Sequence, residues 1–326
     1  IRPSQVEFYD YQTVRFKSDL GYEVDPYKFY FKKGVNSIKL VSTNEPIAIS
    51  KLSLETVYVD TSYEQYVAKQ PVSPDKNKAK DVYVKVQGED SIARSDPSLF
   101  ARYDRSSAIT EPYSVKNTIL NYTGGDSWKA SGQWIEWEAD IPEDGWYTIS
   151  FQARQLYARG AVSCRSLYID GVIPMKEVKA IEFDYSSDWK YVTLGAKNDP
   201  YKFYLTKGKH NIRLEATLGE LGRVISGLQD SIYRMNIIYR TILVLTGVYP
   251  DQFRDYEIDK VYPEQVEAMN IESKRLYKLI DDYIEITGGK SENIAMAEKI
   301  AVQLEQFYAR PEKITKTFSN FKDNVT

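Results

Sequence analysis

The stretch from Gly132 to Ala153 limits what this chain can become. Ile135, Trp137, Ala139 and Ile141 share one parity, and Trp134, Glu136, Glu138 and Asp140 share the other. Alternation with period two places the two sets on opposite faces of a strand, one buried and one wetter. Pro142-Glu143-Asp144-Gly145 reads as a turn, because Pro presets φ and Gly accepts a positive φ. A second alternating run follows, with Tyr147, Ile149, Phe151 and Ala153 on one face. Two such runs across a short turn predict an antiparallel hairpin.

Further short strands surround it. Val82, Val84 and Val86 alternate, residues 91–118 are polar and loop-rich, and 165–169, 189–192, 199–205 and 211–214 are apolar β-runs separated by turns. Many short strands with regular turns predict an antiparallel β-sandwich over 81–218. Ahead of it, residues 71–80 (PVSPDKNKAK) form a polar, Pro-bearing linker, and 62–69 carry the pattern of one amphipathic helix. From Gly219 the period becomes helical: Leu221, Val224, Ile225, Leu228, Ile232, Met235, Tyr239, Ile242 and Leu245 recur at three- and four-residue spacing. Gly247 and Pro250 end that helix, a second runs from Val266 to Ile286, Ser291 caps a third through Ala309, and Pro311 opens a fourth. Residues 219–326 therefore predict a helical bundle, so the fold class is mixed β and α.

The chain repeats itself. DPYKFYFKKGVNSIKL at 25–40 matches DPYKFYLTKGKHNIRL at 199–214, and Val6-Glu7-Phe8 echoes Ile181-Glu182-Phe183. Residues 1–70 thus read as the second half of another sandwich module, with strands at 6–8, 13–16, 25–31, 38–41 and 52–54. Their copy of the 132–153 stretch is missing. An unpaired half-sandwich leaves sheet edges open, which implies either an N-terminal extension of the natural chain or docking on another chain or on the second module.

Composition removes several function classes. A net charge of −3 gives no general attraction to nucleic acid or anionic lipid. One cysteine, Cys164, permits no intrachain disulfide, and one histidine, His210, rules out a multi-histidine metal site and speaks against a Ser-His-Asp triad. No apolar run is long enough to span a membrane. No phosphate-binding Gly-rich loop, zinc-helix motif or nucleophile elbow occurs, and Glu136 and Glu138 lie on one strand face instead of facing each other across a cleft, as a glycosidase requires. A non-enzymatic role follows.

The 27 tyrosines and 5 tryptophans suit both half-buried β-surfaces and stacking on sugar rings. Trp128, after the turn Gly124-Gly125-Asp126, is either a loop platform for a pyranose or a ring folded over the sandwich end. Trp134 is either sheet-surface packing or a second platform. Trp137 reads as core and Trp146 as a cap. Arg154, Arg159 and Arg165 flank Tyr157 in a loop, and Asp188-Trp189 adds a carboxylate and another ring. Arg and Tyr near such rings suit hydroxyl or carboxylate recognition.

Val86-Gln87-Gly88-Glu89-Asp90, Gly132-Gln133-Trp134-Ile135-Glu136-Trp137, Pro142 to Ile149, Leu167-Tyr168-Ile169-Asp170-Gly171 and Lys207 to Leu214 together resemble carbohydrate-binding modules of the family 6 and family 35 type, over about 81–217. The resemblance implies a galactose-binding-like jelly-roll sandwich. The opening Ile1 to Glu7, Leu245-Thr246-Gly247, Arg254-Asp255-Tyr256 and the tail from Phe321 to Val325 resemble the N-terminal region of large extracellular solute-binding proteins of Gram-positive ABC transporters. That resemblance implies an extracellular protein attached to the cell surface, with an oligosaccharide or polysaccharide as ligand and transporter membrane subunits as partners of the full-length protein. Related modules often hold a structural calcium through acidic residues of the first strand. Here Glu89 and Asp90 remain, Gln87 stands where an acid is expected, and a helix replaces the final strand that would supply the last ligand. The expectation is non-catalytic carbohydrate binding. Its rivals are a structural or protein-interaction scaffold and an accessory region of a secreted glycoside hydrolase.

Overall fold

The structure is a computed structural model that describes residues 6–7, 13–18, 20–41, 47–56, 60–77, 81–157, 162–251 and 253–325. The chain divides into two compact units, residues 1–157 with 163–219 and residues 158–162 with 220–326.

The first unit is the β-sandwich. After helix α1 (Tyr63–Ala68) come β1 (Ala93–Arg94), β2 (Trp134–Ile141), β3 (Gly145–Thr148), β4 (Ser150–Ala153), β5 (Ser163–Ile169), β6 (Ile181–Phe183), β7 (Lys190–Thr193), β8 (Gly195–Ala196), β9 (Asp199–Pro200), β10 (Lys202–Leu205) and β11 (Gly208–Thr217). One sheet has the order β1-β2-β11-β5-β6, and antiparallel ladders β10-β3, β4-β7 and β8-β9 complete the set. Leu167, Leu214, Ile181 and Phe183 of the five-stranded sheet cluster with Phe203 of β10 and with Met175, Val178 and Leu194. Burying one such side chain contributes about 1.5–3 kcal/mol, so this cluster is the main apolar term of the unit.

The predicted hairpin is not a hairpin. β2 pairs with β11, from Ile141 opposite Gly208 to Trp134 opposite Glu215, whereas β3 pairs with β10, from Gly145 opposite Leu205 to Thr148 opposite Lys202. The turn at 142–144 therefore carries the chain from one sheet to the other. Alternation specifies which faces are buried but not which strand lies alongside, and here β10 and β11 supply the partners.

The strands expected within 1–60 are a second correction. Among the described residues of 6–56, none forms a strand ladder. Tyr30, Val35, Ile38 and Leu40 are exposed, so the alternating pattern has no sheet to bury it. Phe8 and Val57 to Val59 lie outside the described residues.

Residues 61–77 wrap the sandwich instead of serving as part of the half-module and a free tether. α1 appears where predicted, with Ser62 and Gln65 forming a capping box. Tyr63 Oη accepts from Lys202 N at 3.2 Å and Tyr66 Oη from Tyr204 N at 3.0 Å. These hydroxyls take up N–H groups on the open side of β10, the kind of edge proteins must cover. Within the expected linker, Val72 O accepts from Trp146 Nε1 at 2.8 Å, and Asn77 both donates to Trp146 O and accepts from Trp146 N, each at 2.9 Å.

The second unit is helical: α2 (Leu221–Thr246), α3 (Ile258–Val261), α4 (Pro263–Thr287), α5 (Glu292–Ala309) and α6 (Phe318–Val325). Ser291 accepts from Ile294 N, as an N-cap should. Met235, Ile238, Ile242, Met269, Leu276, Leu304, Ile314 and Phe321 meet in its core. The helix expected from Pro311 starts only at Phe318, after two short 3-10 turns. No helix among the described residues is long and apolar enough to cross a membrane.

Candidate functional site

The β4–β7 ladder sets the geometry of the best-developed polar cluster. Ala153 pairs with Lys190, so the residues just beyond, Arg154 and Trp189, meet at that end of the ladder. The Arg154 guanidinium lies 4.9 Å from the centre of the Trp189 ring. Asp104, from the loop-rich 91–118 segment, ties them together. Its carboxylate accepts from Trp189 Nε1 at 2.6 Å, Arg154 Nη2 at 2.9 Å, Ser106 N at 2.7 Å and Ser106 Oγ at 2.9 Å. Burial pushes the Asp104 carboxyl upward, but the Ser106 and Trp189 donors and the Arg154 charge outweigh it, and the group titrates below the usual aspartate value. Asn121 fixes the loop from behind, accepting from Asp104 N and donating to Asp104 O, both at 2.8 Å.

Tyr122 adds a second ring, edge-on to Trp189 at 5.6 Å. Burial raises its phenol above the usual value; the nearby Arg102 works against this and Tyr157 adds to it. Arg102 itself pairs with Asp126 and donates to Ser127 Oγ at 2.9 Å. Its Nε and the Thr123 hydroxyl are buried without a partner among the described residues, and such groups ordinarily find one. Tyr157 is exposed, as is Asp188. The arrangement offers aromatic faces beside fixed donors and acceptors, which suits a hydroxylated ring. Four donors occupy the two oxygens of Asp104, which holds it as a fixed acceptor and not as a group trading protons.

Of the residues singled out in the sequence, Arg154, Trp189 and Tyr157 belong to this cluster, and Asp188 adjoins it along the chain. Arg159 lies outside the described residues. Trp128 sits elsewhere, folded over the sandwich end: its Nε1 donates to Gln133 O at 2.9 Å and its ring packs on the core. A Cβ on Gly124, whose φ is +88°, would lie 2.8 Å from the Trp128 ring, so the glycine turn exists to let the chain wrap the indole. Arg165 also covers the ring, its guanidinium 4.4 Å from the ring centre. Burial pushes the Arg165 guanidinium down to about 10, and it donates to Trp128 O at 2.9 Å and Cys164 O at 2.7 Å. Trp134 is likewise covered, with the Arg213 guanidinium 3.9 Å from its ring centre and Arg213 held by Glu136 at 2.7 Å. Sequence reasoning missed Asp104, Asn121, Tyr122 and Arg102. The legible signal was Asp104-Arg105-Ser106, an Asx-turn pattern; nothing in it announced a partner 85 residues away in sequence.

Glu89 and Asp90, the acidic pair expected to hold calcium, lie at a turn ahead of β1. Asp90 follows a turn closed by Asp90 N to Gln87 O at 3.2 Å, and burial raises the Glu89 carboxyl, one oxygen of which is buried without a partner. Among the described residues no three His, Cys, Asp or Glu side chains converge, whereas calcium takes six to eight oxygens.

Among solved structures, the chain is similar to a Paenibacillus sp. cycloisomaltooligosaccharide glucanotransferase complexed with cycloisomaltoheptaose, at 18% identity and TM-score 0.30, covering 41% of this chain and 16% of that one. The chain thus spans less than a fifth of that enzyme's length. It is also similar to a family 35 carbohydrate binding module from Clostridium thermocellum, at 17% identity and TM-score 0.30, covering 41% of this chain and 85% of that one. The third is the CBM35 from Cellvibrio japonicus Abf62, at 17% identity and TM-score 0.27, covering 42% and 85%. No curated protein matches the chain. Residues 223–325 match the family described as bacterial solute-binding protein, 4-helix bundle domain. The helical unit is therefore similar to the bundle domain of bacterial solute-binding proteins.

Proposed function

We propose that the sandwich is a non-catalytic carbohydrate-binding unit of an extracellular, surface-attached solute-binding protein of a Gram-positive bacterium. The captured oligosaccharide or polysaccharide serves uptake through ABC-transporter membrane subunits that engage the full-length protein. One observation carries the sugar reading: Trp189, Tyr122 and the exposed Tyr157 gather around the fixed donors and acceptors Arg154, Asp104 and Arg102 at one end of the β4–β7 ladder. The solute-binding-protein bundle supports the setting. A ligand hydroxyl reaching the orphaned Arg102 Nε would satisfy it. The saturated Asp104 carboxylate supports binding without catalysis.

A scaffold reading is favoured by the other two rings, since Trp128 and Trp134 are committed to Arg165 and Arg213. A glycan-array screen of the chain, followed by calorimetry with Tyr157→Ala, separates the two. Tyr157 is exposed, so the change leaves the core intact. An affinity loss of tenfold or more, about 1.4 kcal/mol, supports the sugar site. A hit insensitive to both Tyr157→Ala and Trp189→Phe moves the site elsewhere. Silence across plant, fungal and bacterial glycans favours the scaffold.

A further inference from the structure

The Arg154–Trp189 cluster stands at one end of the β4–β7 ladder, and the outer face of that ladder continues past it. Phe151 and Ala153 of β4 and Val192 of β7 pack toward the sandwich core. Side chains alternate along a strand, so Ser150, Gln152 and Arg154 share the opposite face with Trp189, Tyr191 and Thr193. The register pairs Gln152 with Tyr191 and Ser150 with Thr193, and Arg154 meets Trp189 one step past the Ala153–Lys190 pair. Three cross-strand pairs therefore stand in a row, each about 7 Å from the next. The first two have the same make-up, an aromatic ring beside a polar group that is held in place. Arg154 is held by Asp104 and by Ser106 Oγ, both at 2.9 Å. Gln152 Nε2 donates to Ile109 O at 2.7 Å. One loop, residues 104–109, thus fixes both polar groups and follows the row along its side. Tyr191 is 67% exposed. The third pair brings no ring, and its hydroxyls, Ser150 Oγ and Thr193 Oγ1, satisfy each other at 2.8 Å.

Strand propensity alone accounts for many exposed tyrosines. It does not account for a side-chain amide tied down beside this one by the loop that also ties down Arg154. We infer that the candidate site continues along β4–β7, with Tyr191 and Gln152 as a second subsite. The ligand is then a glycan chain laid along the ladder, with at least two sugar units engaged, and not a single terminal sugar. This inference rests on the sugar reading of the Arg154–Trp189 cluster. One unit lies by the Trp189 ring with its hydroxyls toward Arg154, whose guanidinium has donors beyond those given to Asp104 and Ser106. The next unit lies on the Tyr191 ring and donates a hydroxyl to Gln152 Oε1. Each ring offers an apolar face, and each neighbouring polar group fixes orientation. Because the Gln152 amide is already held, little side-chain freedom is lost when it takes up ligand. The row closes at Ser150 and Thr193, so a further unit in that direction finds neither a ring nor a free hydroxyl pair.

Dependence of affinity on chain length reads this directly. Calorimetry and ligand-observed NMR on the 326-residue chain would use the mono- to tetrasaccharides of β-1,4-linked glucose, mannose and xylose and of α-1,6-linked glucose. In a series that binds, affinity should rise by about tenfold or more from mono- to disaccharide, about 1.4 kcal/mol, and change little beyond the trisaccharide. Tyr191→Ala should abolish that step and Gln152→Ala should shrink it, whereas Trp189→Phe should weaken every length. Urea midpoints check that each variant is folded, and Gln152→Ala carries the test if Tyr191→Ala is not. Equal affinity for mono- and disaccharide overturns the inference and leaves the sugar reading standing. So does a length step that survives both Tyr191→Ala and Gln152→Ala, because the second unit then lies elsewhere. Silence of all four series also overturns it, and the wider glycan array then decides the sugar reading by itself.

Discussion

The two copies of the DPYKFY repeat carry nearly the same residues and share a turn, yet one is sandwich core and the other is surface. Phe203 meets Leu167, Phe183 and Leu214, and its N–H neighbours on β10 are taken up by Tyr63 and Tyr66. Phe29 stands edge-on to Phe16 at 6.4 Å and is 61% exposed. Strand-forming sequence is thus insufficient by itself. An isolated alternating segment gains neither ladder hydrogen bonds nor buried area until another strand lies beside it.

The sharpest way to break that contrast is to truncate the paired aromatics. Phe203→Ala should cost about 3–5 kcal/mol, the range for a buried Phe, and Phe29→Ala less than about 0.5 kcal/mol, as at an open surface. Urea midpoints of the two variants measure the difference, and equal losses would show that both copies are packed. Next in size, Tyr66→Phe removes the hydroxyl that accepts from Tyr204 N and should cost about 1–2 kcal/mol by stranding that donor, again read from the urea midpoint.

The Asn36/His210 difference gives a smaller, pH-dependent test. Burial lowers the His210 pKa, but the Asp170 carboxylate and the Thr206 carbonyl outweigh it, and the net shift is upward. A raised folded-state pKa stabilises the folded protein fully below the unfolded value of about 6.5 and loses that contribution as pH rises through the folded pKa. His210→Asn, which installs the residue of the other copy, should remove this slope while keeping the turn; thermal melts from pH 5 to 9 compare the two. If the slope persists, another group is its source. The smallest expected effect is from chelation. Because Glu89 and Asp90 lack a converging third acid among the described residues, dialysis against EDTA should leave the melting temperature where it was. A drop reversed by calcium would assign them a metal after all.

The candidate site was partly readable. Arg154 and Trp189 stand out as charge and ring beside strands, and the structure joins them because Ala153 faces Lys190. Trp128 and Trp134 stand out just as clearly but carry Arg165 and Arg213 on their faces. A sequence displays a ring without displaying what lies on it, and a guanidinium that covers one indole looks, along the chain, like one that waits for ligand. Asp104 is the converse case, a polar loop residue whose importance comes entirely from partners at 154 and 189.

Sequence by itself determined the classes of element and their faces. Alternation marked β2, the three- and four-residue period marked α2 and α4, and Ser62 and Ser291 marked helix starts, because periodicity and capping are local properties of the backbone. It also determined the repeat. Only the tertiary structure decided that β2 and β3 belong to different sheets, that 61–77 wraps the sandwich, and that one copy of the repeat has strand partners while the other has none among the described residues. These outcomes depend on which distant segment supplies the second half of each hydrogen bond and each buried contact, and no residue encodes its partner's arrival.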